Sequence, residues 1–172
     1  MKHLTLALTL AALSSPAAGH TVRTNDAANA EAFAASRAAA EAYYDLDDAI
    51  AAGFEPLFDC TDAGEAGAMG QHYINKAFAT DGKLTVDQPD VLMYEPQADG
   101  AMHLVALEYI VFQNQWQGSE APQFLGSTLQ LKDKVGTHPV DPFYELHIWH
   151  WRSNPSGFTA DYNPTVSCNP GT

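Results

Sequence analysis

An α+β fold, with an N-terminal helical layer packed on an antiparallel β-sheet and one disulfide, is predicted by three observations. Residues 26–53 are rich in Ala and carry their larger apolar side chains at helical spacing. After residue 70 the apolar period falls to two, the period of strands. The 2 cysteines, Cys60 and Cys168, stand far apart in a chain that begins like an exported protein.

That beginning is Met1-Lys2-His3, a short basic start, then an apolar run over 4–13, a break at Ser14-Ser15-Pro16, and the small residues Ala17-Ala18-Gly19. This is the layout of a secretory signal peptide over 1–19, too short to span a membrane, which leaves 20–172 as a single α+β domain. In the helical region Asn25 or Asp26 is the cap candidate and Gly53 a plausible stop. Phe33, Arg37, Ala40 and Tyr44 form one helical series, and Tyr43, Leu46 and Ile50 another. The pattern predicts one long helix, or two with a joint near Tyr44-Asp45. Segment 59–70 reads as a Gly-rich loop. Strands are expected at 71–74, 91–95, 102–112, 128–131 and 143–152, with Asp99-Gly100 as a hairpin turn between the second and third. The tail from Ser153, full of Asn-Pro and Gly, reads as loop or extended chain held by Cys168.

Composition narrows the function classes. The chain has 172 residues, with 8 Lys+Arg against 21 Asp+Glu and a formal net charge of −13. Hydrophobic content of 46%, with 10% aromatic, is enough for a real core and excludes whole-chain disorder. The acidity argues against nucleic acid or an anionic membrane surface as partner, because both need Lys and Arg to neutralise phosphate. In an oxidising compartment Cys60 and Cys168 are expected to pair, and a bridge over so long a loop would stabilise by roughly 3–5 kcal/mol. Zinc ligation by the two thiols lacks a Cys-x-x-Cys spacing. The unusual feature is 7 His beside only 8 basic residues.

Candidate chemistry sits on the strands. In the stretch from His103 to Phe112 both faces are apolar, as in a central strand, and alternation puts Glu108 with Leu104, Ala106, Ile110 and Phe112. A carboxylate there is expensive unless a metal, a cation or several donors meet it. Glu108 is therefore a metal ligand or general acid/base, and the alternative is a buried structural Glu. In the stretch from Tyr144 to Arg152, period two aligns Glu145, His147, Trp149 and Trp151 on one face and Leu146, Ile148 and His150 on the other. His147 is a ligand candidate or a satisfied core histidine. His150 reads as structural, and His103, at a hairpin edge, as solvated. His72 enters a strand from the Gly-rich loop, and His138 precedes Pro139 just before the His147 strand. Imidazole plus carboxylate suits a divalent transition metal (Zn, Fe or Cu), and an open position would make the site catalytic.

Other constellations are weaker. A cut after Gly19 would make His20 the N-terminal residue, able to form a copper-binding brace. The Asp45-Leu46-Asp47-Asp48 cluster lacks the Gly turn and terminal Glu of an EF-hand loop and reads as helix cap and solvated face. There is no nucleophile elbow and no phosphate-cradling Gly motif.

Several blocks carry a resemblance: Met69-Gly70-Gln71-His72-Tyr73-Ile74-Asn75, Val91-Leu92-Met93-Tyr94-Glu95-Pro96, Leu107-Glu108-Tyr109, Tyr144-Glu145-Leu146-His147-Ile148-Trp149-His150-Trp151, and Asn154-Pro155-Ser156-Gly157-Phe158 with Asn163-Pro164 and Cys168. In this order they resemble a family of exported bacterial hypothetical proteins, over about residues 40 to 168. The resemblance implies the His72, Glu108 and His147 positions with a further His near 138, and no activity or fold. Some members place His where this chain has Phe143.

Three function classes follow. The leading one is a mononuclear metal site of His72, Glu108 and His147, with His138 as a candidate fourth ligand, serving metal binding alone or metal-dependent catalysis; as an enzyme it would act in metal-assisted hydrolysis or oxygen chemistry with Glu108 as ligand or base. The second is a non-catalytic extracytoplasmic module binding a small molecule in an aromatic cleft of Tyr73, Tyr109, Trp149 and Trp151, with Trp116 beside it. The third is a structural secreted domain.

Overall fold

The structure, a computed structural model, describes residues 24–169, so the expected signal peptide and His20 lie outside the described residues. Helix α1 (Thr24–Ala40), a 3-10 turn (Glu41–Tyr43) and helix α2 (Leu46–Ala51) make the N-terminal layer. The joint falls at Tyr44-Asp45, where Asp45 is extended and its carboxylate accepts the Asp47 N–H at 3.0 Å. An Asp at that position satisfies an orphan amide and faces the positive end of α2.

Eight strands follow: β1 (Glu55–Asp62), β2 (Ala68–Ile74), β3 (Val91–Pro96), β4 (Met102–Phe112), β5 (Gln123–Phe124), β6 (Ser127–Thr128), β7 (Gln130–Val135) and β8 (His138–Ile148), with a one-turn helix α3 (Lys76–Ala79) after β2. Six of them form one antiparallel sheet in the order β1-β2-β3-β4-β8-β7, and β5 and β6 pair with each other. Asp99-Gly100 turns β3 into β4, with Gly100 at φ 86 and the Ala101 N–H donating to the Asp99 carboxylate at 3.0 Å. No helix among the described residues is long and apolar enough to cross a membrane.

Alternation sorts the central strands into two faces. On one, Leu92, Tyr94, Leu104 and Leu107 pack under Ala40, Ala49 and Phe54 of the helical layer, and Tyr109, Leu146 and Ile148 pack near Phe33. On the other, Met93, Ala106 and Trp149 pack with Ala68, Val166 and Cys168, while Ile74, Val91, Ile110 and Phe143 form a second apolar group. Strands β3 and β4 are thus buried on both sides, each filled apolar position contributing about 1.5–3 kcal/mol.

The C-terminal segment is strapped across this second face. Cys60 and Cys168 form the disulfide. Ala68 and Asn163 exchange backbone hydrogen bonds of 3.2 and 3.1 Å. Gly67, at φ 84, permits that approach, since a Cβ there would overlap the Asn163 carbonyl. The strap brings residues 161 and 162 over the sheet.

The structure departs from the sequence reading at several elements. Part of 59–70 is strand, because β1 runs to Asp62 and only 63–67 turns. This edge strand is exposed along most of its length and bulged between Leu57 and Thr61, so it carries no clean alternation. The expected strand 128–131 is instead the end of β6 and the start of β7. The last strand begins at His138 and stops at Ile148, not Arg152. Beyond it Trp149 and Trp151 part company, joining the groups on opposite faces of the sheet.

Candidate metal centre

The site grows out of strand register. Glu108 on β4 pairs directly with His147 on β8, so their side chains leave the same face. On the other flank Glu108 pairs with Val91 of β3. His72 on β2 pairs with Met93, which pairs with Ala106, two residues before Glu108 on β4. His72 is therefore on the same face, one row along the strands. Its Nε2 lies 3.9 Å from Glu108 Oε2, and its ring centroid 6.4 Å from that of His147. One ligand atom from each of His72, Glu108 and His147 can be chosen so that all lie within 4.8 Å of one another. Exposure is 2%, 4% and 1% respectively.

A second group shares His147. Glu145, two residues earlier on the same face of β8, and Asp161 from the strap also lie with His147 within 4.8 Å. His147 Nδ1 is 3.7 Å from Glu145 Oε1 and 3.8 Å from Asp161 Oδ1. This group already has a cation. The Lys132 ammonium of β7 is 2.6 Å from Asp161 Oδ2 and 3.3 Å from Glu145 Oε1.

Buried ring nitrogens without a hydrogen-bond partner mark His72 and His147. Both ring nitrogens of His147 are buried with no hydrogen-bond partner, as is Nδ1 of His72; Glu145 Oε1 likewise has no hydrogen-bond partner but faces the Lys132 ammonium at 3.3 Å. An unsatisfied buried polar atom costs about 1–3 kcal/mol, so a native protein carrying three together calls for a ligand. Burial, then the neighbouring His147, lowers the pKa of His72 to about 3, against a smaller opposing contribution from the Gly70 backbone. The ring is therefore neutral with a free lone pair, the form a metal needs. Glu108 is pushed well above the usual carboxylate range by burial first and then by Glu145, with Asp90 and Asp161 adding to it. A cation beside Glu108 would remove that penalty.

Donor spacing is close to what a metal requires. Ligand atoms about 2.0–2.1 Å from a tetrahedral zinc lie about 3.4 Å apart, against 3.9 Å between His72 Nε2 and Glu108 Oε2 and an upper bound of 4.8 Å across the three donors. The centre opens onto a cavity of about 230 Å³ lined by His72, Glu108, Lys132, Glu145, Asp161 and Tyr162 among others. His147 does not line it, so the ion would be anchored from behind and reached from one side.

Other expected residues lie elsewhere. His138 is exposed at the start of β8 and stacks on Phe58, with ring centroids 4.3 Å apart and planes 7° from parallel. It starts the strand nine residues before His147, about 30 Å of extended chain, and is in neither group. The four aromatics do not share a cleft. Tyr109 is core and donates to the Val86 carbonyl at 2.6 Å, and Trp149 donates to the Ala160 carbonyl at 2.6 Å. Tyr73 packs against Tyr94, and Trp151 lies under Arg37. Trp116 donates to the Glu120 carbonyl. His103 is exposed on its hairpin, and His150 meets the Ser36 hydroxyl at 2.8 Å.

Lys132 and Asp161 are additions that sequence reasoning did not reach. Lys132 sits on an exposed, charged edge strand, and Asp161 in a tail without periodicity. The one signal pointing to Asp161 is that a disulfide partner seven residues later must lie on the domain.

No family model, curated protein or solved structure matches this chain.

Proposed function

We propose that this is an exported metalloprotein that holds one divalent transition-metal ion (Zn, Fe or Cu) through His72, Glu108 and His147. The observation carrying this reading is His147: both of its ring nitrogens are buried and unpartnered, within ligand range of an imidazole and a carboxylate. Two imidazoles and one carboxylate are the donor set of catalytic zinc and non-haem iron sites, with a position left for water or substrate. A bound ion would supply Lewis acidity on the cavity side. Glu108 serves as ligand, or as base toward a molecule in that cavity. Lys132 favours one ion over two, because its ammonium already neutralises the Glu145 and Asp161 carboxylates. The disulfide is compatible with export, and membership of the exported bacterial family resembled above belongs to the same reading.

The test is elemental analysis of the purified mature protein after exhaustive dialysis, with His72→Ala, His147→Ala and His138→Ala run beside it. Close to one equivalent is expected in the parent and in His138→Ala, and a loss in the other two. Absence of stoichiometric metal from the parent after reconstitution with Zn, Fe and Cu in turn overturns the proposal.

A further inference from the structure

The face carrying the metal group is polar on one side of Glu108 and apolar on the other. In one direction lie His72, Glu145, Asp161 and Lys132, and in the other a second cavity of about 90 Å³. That second cavity is walled by Leu57, Ile74, Val91, Ile110, Val140 and Phe143 with their apolar neighbours, and Glu108 is the one polar residue lining it. Register explains the arrangement. Ile74, Val91 and Glu108 form one cross-strand row, and Ile110 and Phe112 continue the same face along β4 toward Phe143. Glu108 and Val135 line both cavities, so the two adjoin at the Glu108 side chain.

Resting on the metal reading above, we infer that the substrate is a small amphiphile whose polar head meets the metal while a compact alkyl group of three to five carbons fills the cavity beside Glu108. Size sets the upper limit. An apolar cavity of about 150 Å³ holds benzene, and this one, partly open to the surface, is smaller, so a branched alkyl group matches it better than a ring or a long chain. Charge sets the head. The Glu108, Glu145 and Asp161 carboxylates are balanced by Lys132 and a divalent ion, which favours a neutral or singly anionic group over a dianion such as phosphate. Apolar walls beside a metal-bound head would also give discrimination by chain length, each buried methylene changing affinity about fourfold.

The experiment titrates the protein, as purified, with acetohydroxamic, isobutyrohydroxamic, benzohydroxamic and octanohydroxamic acids by calorimetry, with metal content measured on the same sample. With two more carbons, isobutyrohydroxamate is expected to bind about 15-fold more tightly than acetohydroxamate, and the two larger probes more weakly than isobutyrohydroxamate. Val140→Phe, which fills the cavity, is expected to erase the isobutyryl advantage with metal content retained. Phe112→Ala, which enlarges it, is expected to shift the preference toward the benzo compound, a gain that misfolding cannot imitate. Equal affinity for the acetyl and isobutyryl probes, or a preference for octanoyl in the parent, overturns the inference and leaves the metal site standing. Chain-length discrimination in a protein that holds no metal overturns the metal reading and leaves the alkyl subsite standing.

Discussion

Replacing Lys132 with Met removes the one cation that faces the Glu145 and Asp161 carboxylates within 4 Å among the described residues. At an effective dielectric constant of about 20, charges 2.6 and 3.3 Å apart attract by roughly 6 and 5 kcal/mol before desolvation. Burying three charges offsets most of that gain. Deleting one partner of a fully buried ion pair costs about 3–5 kcal/mol, because the other charge is left without compensation. Here the Lys132 side chain is 25% exposed, against 6% for Glu145 and 19% for Asp161, so about 2–3 kcal/mol is expected. The measurement is urea unfolding of chelator-treated Lys132→Met and parent at pH 7. Adding zinc should then stabilise the variant more than the parent, since a divalent ion becomes the main counter-charge for the whole cluster and binds the native state selectively. A metal-free variant within about 0.5 kcal/mol of the parent, or equal stabilisation of both by zinc, would refute the reasoning.

Loss of the Cys60–Cys168 bridge, closing a loop with a sequence separation of 108, should cost about 4–5 kcal/mol on the chain-entropy model, seen as a lower urea midpoint for the double Ser variant. Asn75 caps α3 by accepting from the Ala77 and Phe78 amides and also donates to the Ala52 carbonyl, so Asn75→Ala should destabilise by about 1–2 kcal/mol with an unchanged denaturant slope. His150 has its pKa lowered from 6.5 to about 4, by burial first and then by Arg37. Its neutral form is favoured in the native state, so its contribution is intact above pH 6.5 and is lost as pH falls from there toward 4. His150→Gln should therefore lose less stability than the parent between pH 7 and 4, and parallel pH profiles would contradict that assignment.

Much of this architecture follows from local pattern. Asp45 breaks the helical layer because its side chain satisfies the α2 N-terminus better than it continues α1. The Asp99-Gly100 turn joins β3 to β4 because Gly tolerates a positive φ. The doubly apolar stretch around Glu108 marked a central strand, and alternation put Glu145 and His147 on one face. Each of these signals lies within a few residues of its cause.

Convergence of the site has no such local cause. Period two says which face a side chain takes, but not which strand lies alongside or in what register. The β4-β8 pairing skips three strands in sequence, and it alone sets Glu108 opposite His147. His72 joins them across β3, at a row that no spacing in the chain encodes. His138 had the right chemistry and a nearby number, yet the hairpin after β7 leaves it in solvent at the far end of the strand. Asp161 arrives only because Gly67 lets the C-terminal strap lie against Ala68, and Lys132 only because β7 is the neighbour of β8. Residue chemistry and alternation are properties of the chain, while the meeting of these charges is a property of long-range backbone pairing, whose hydrogen bonds are the same for any sequence.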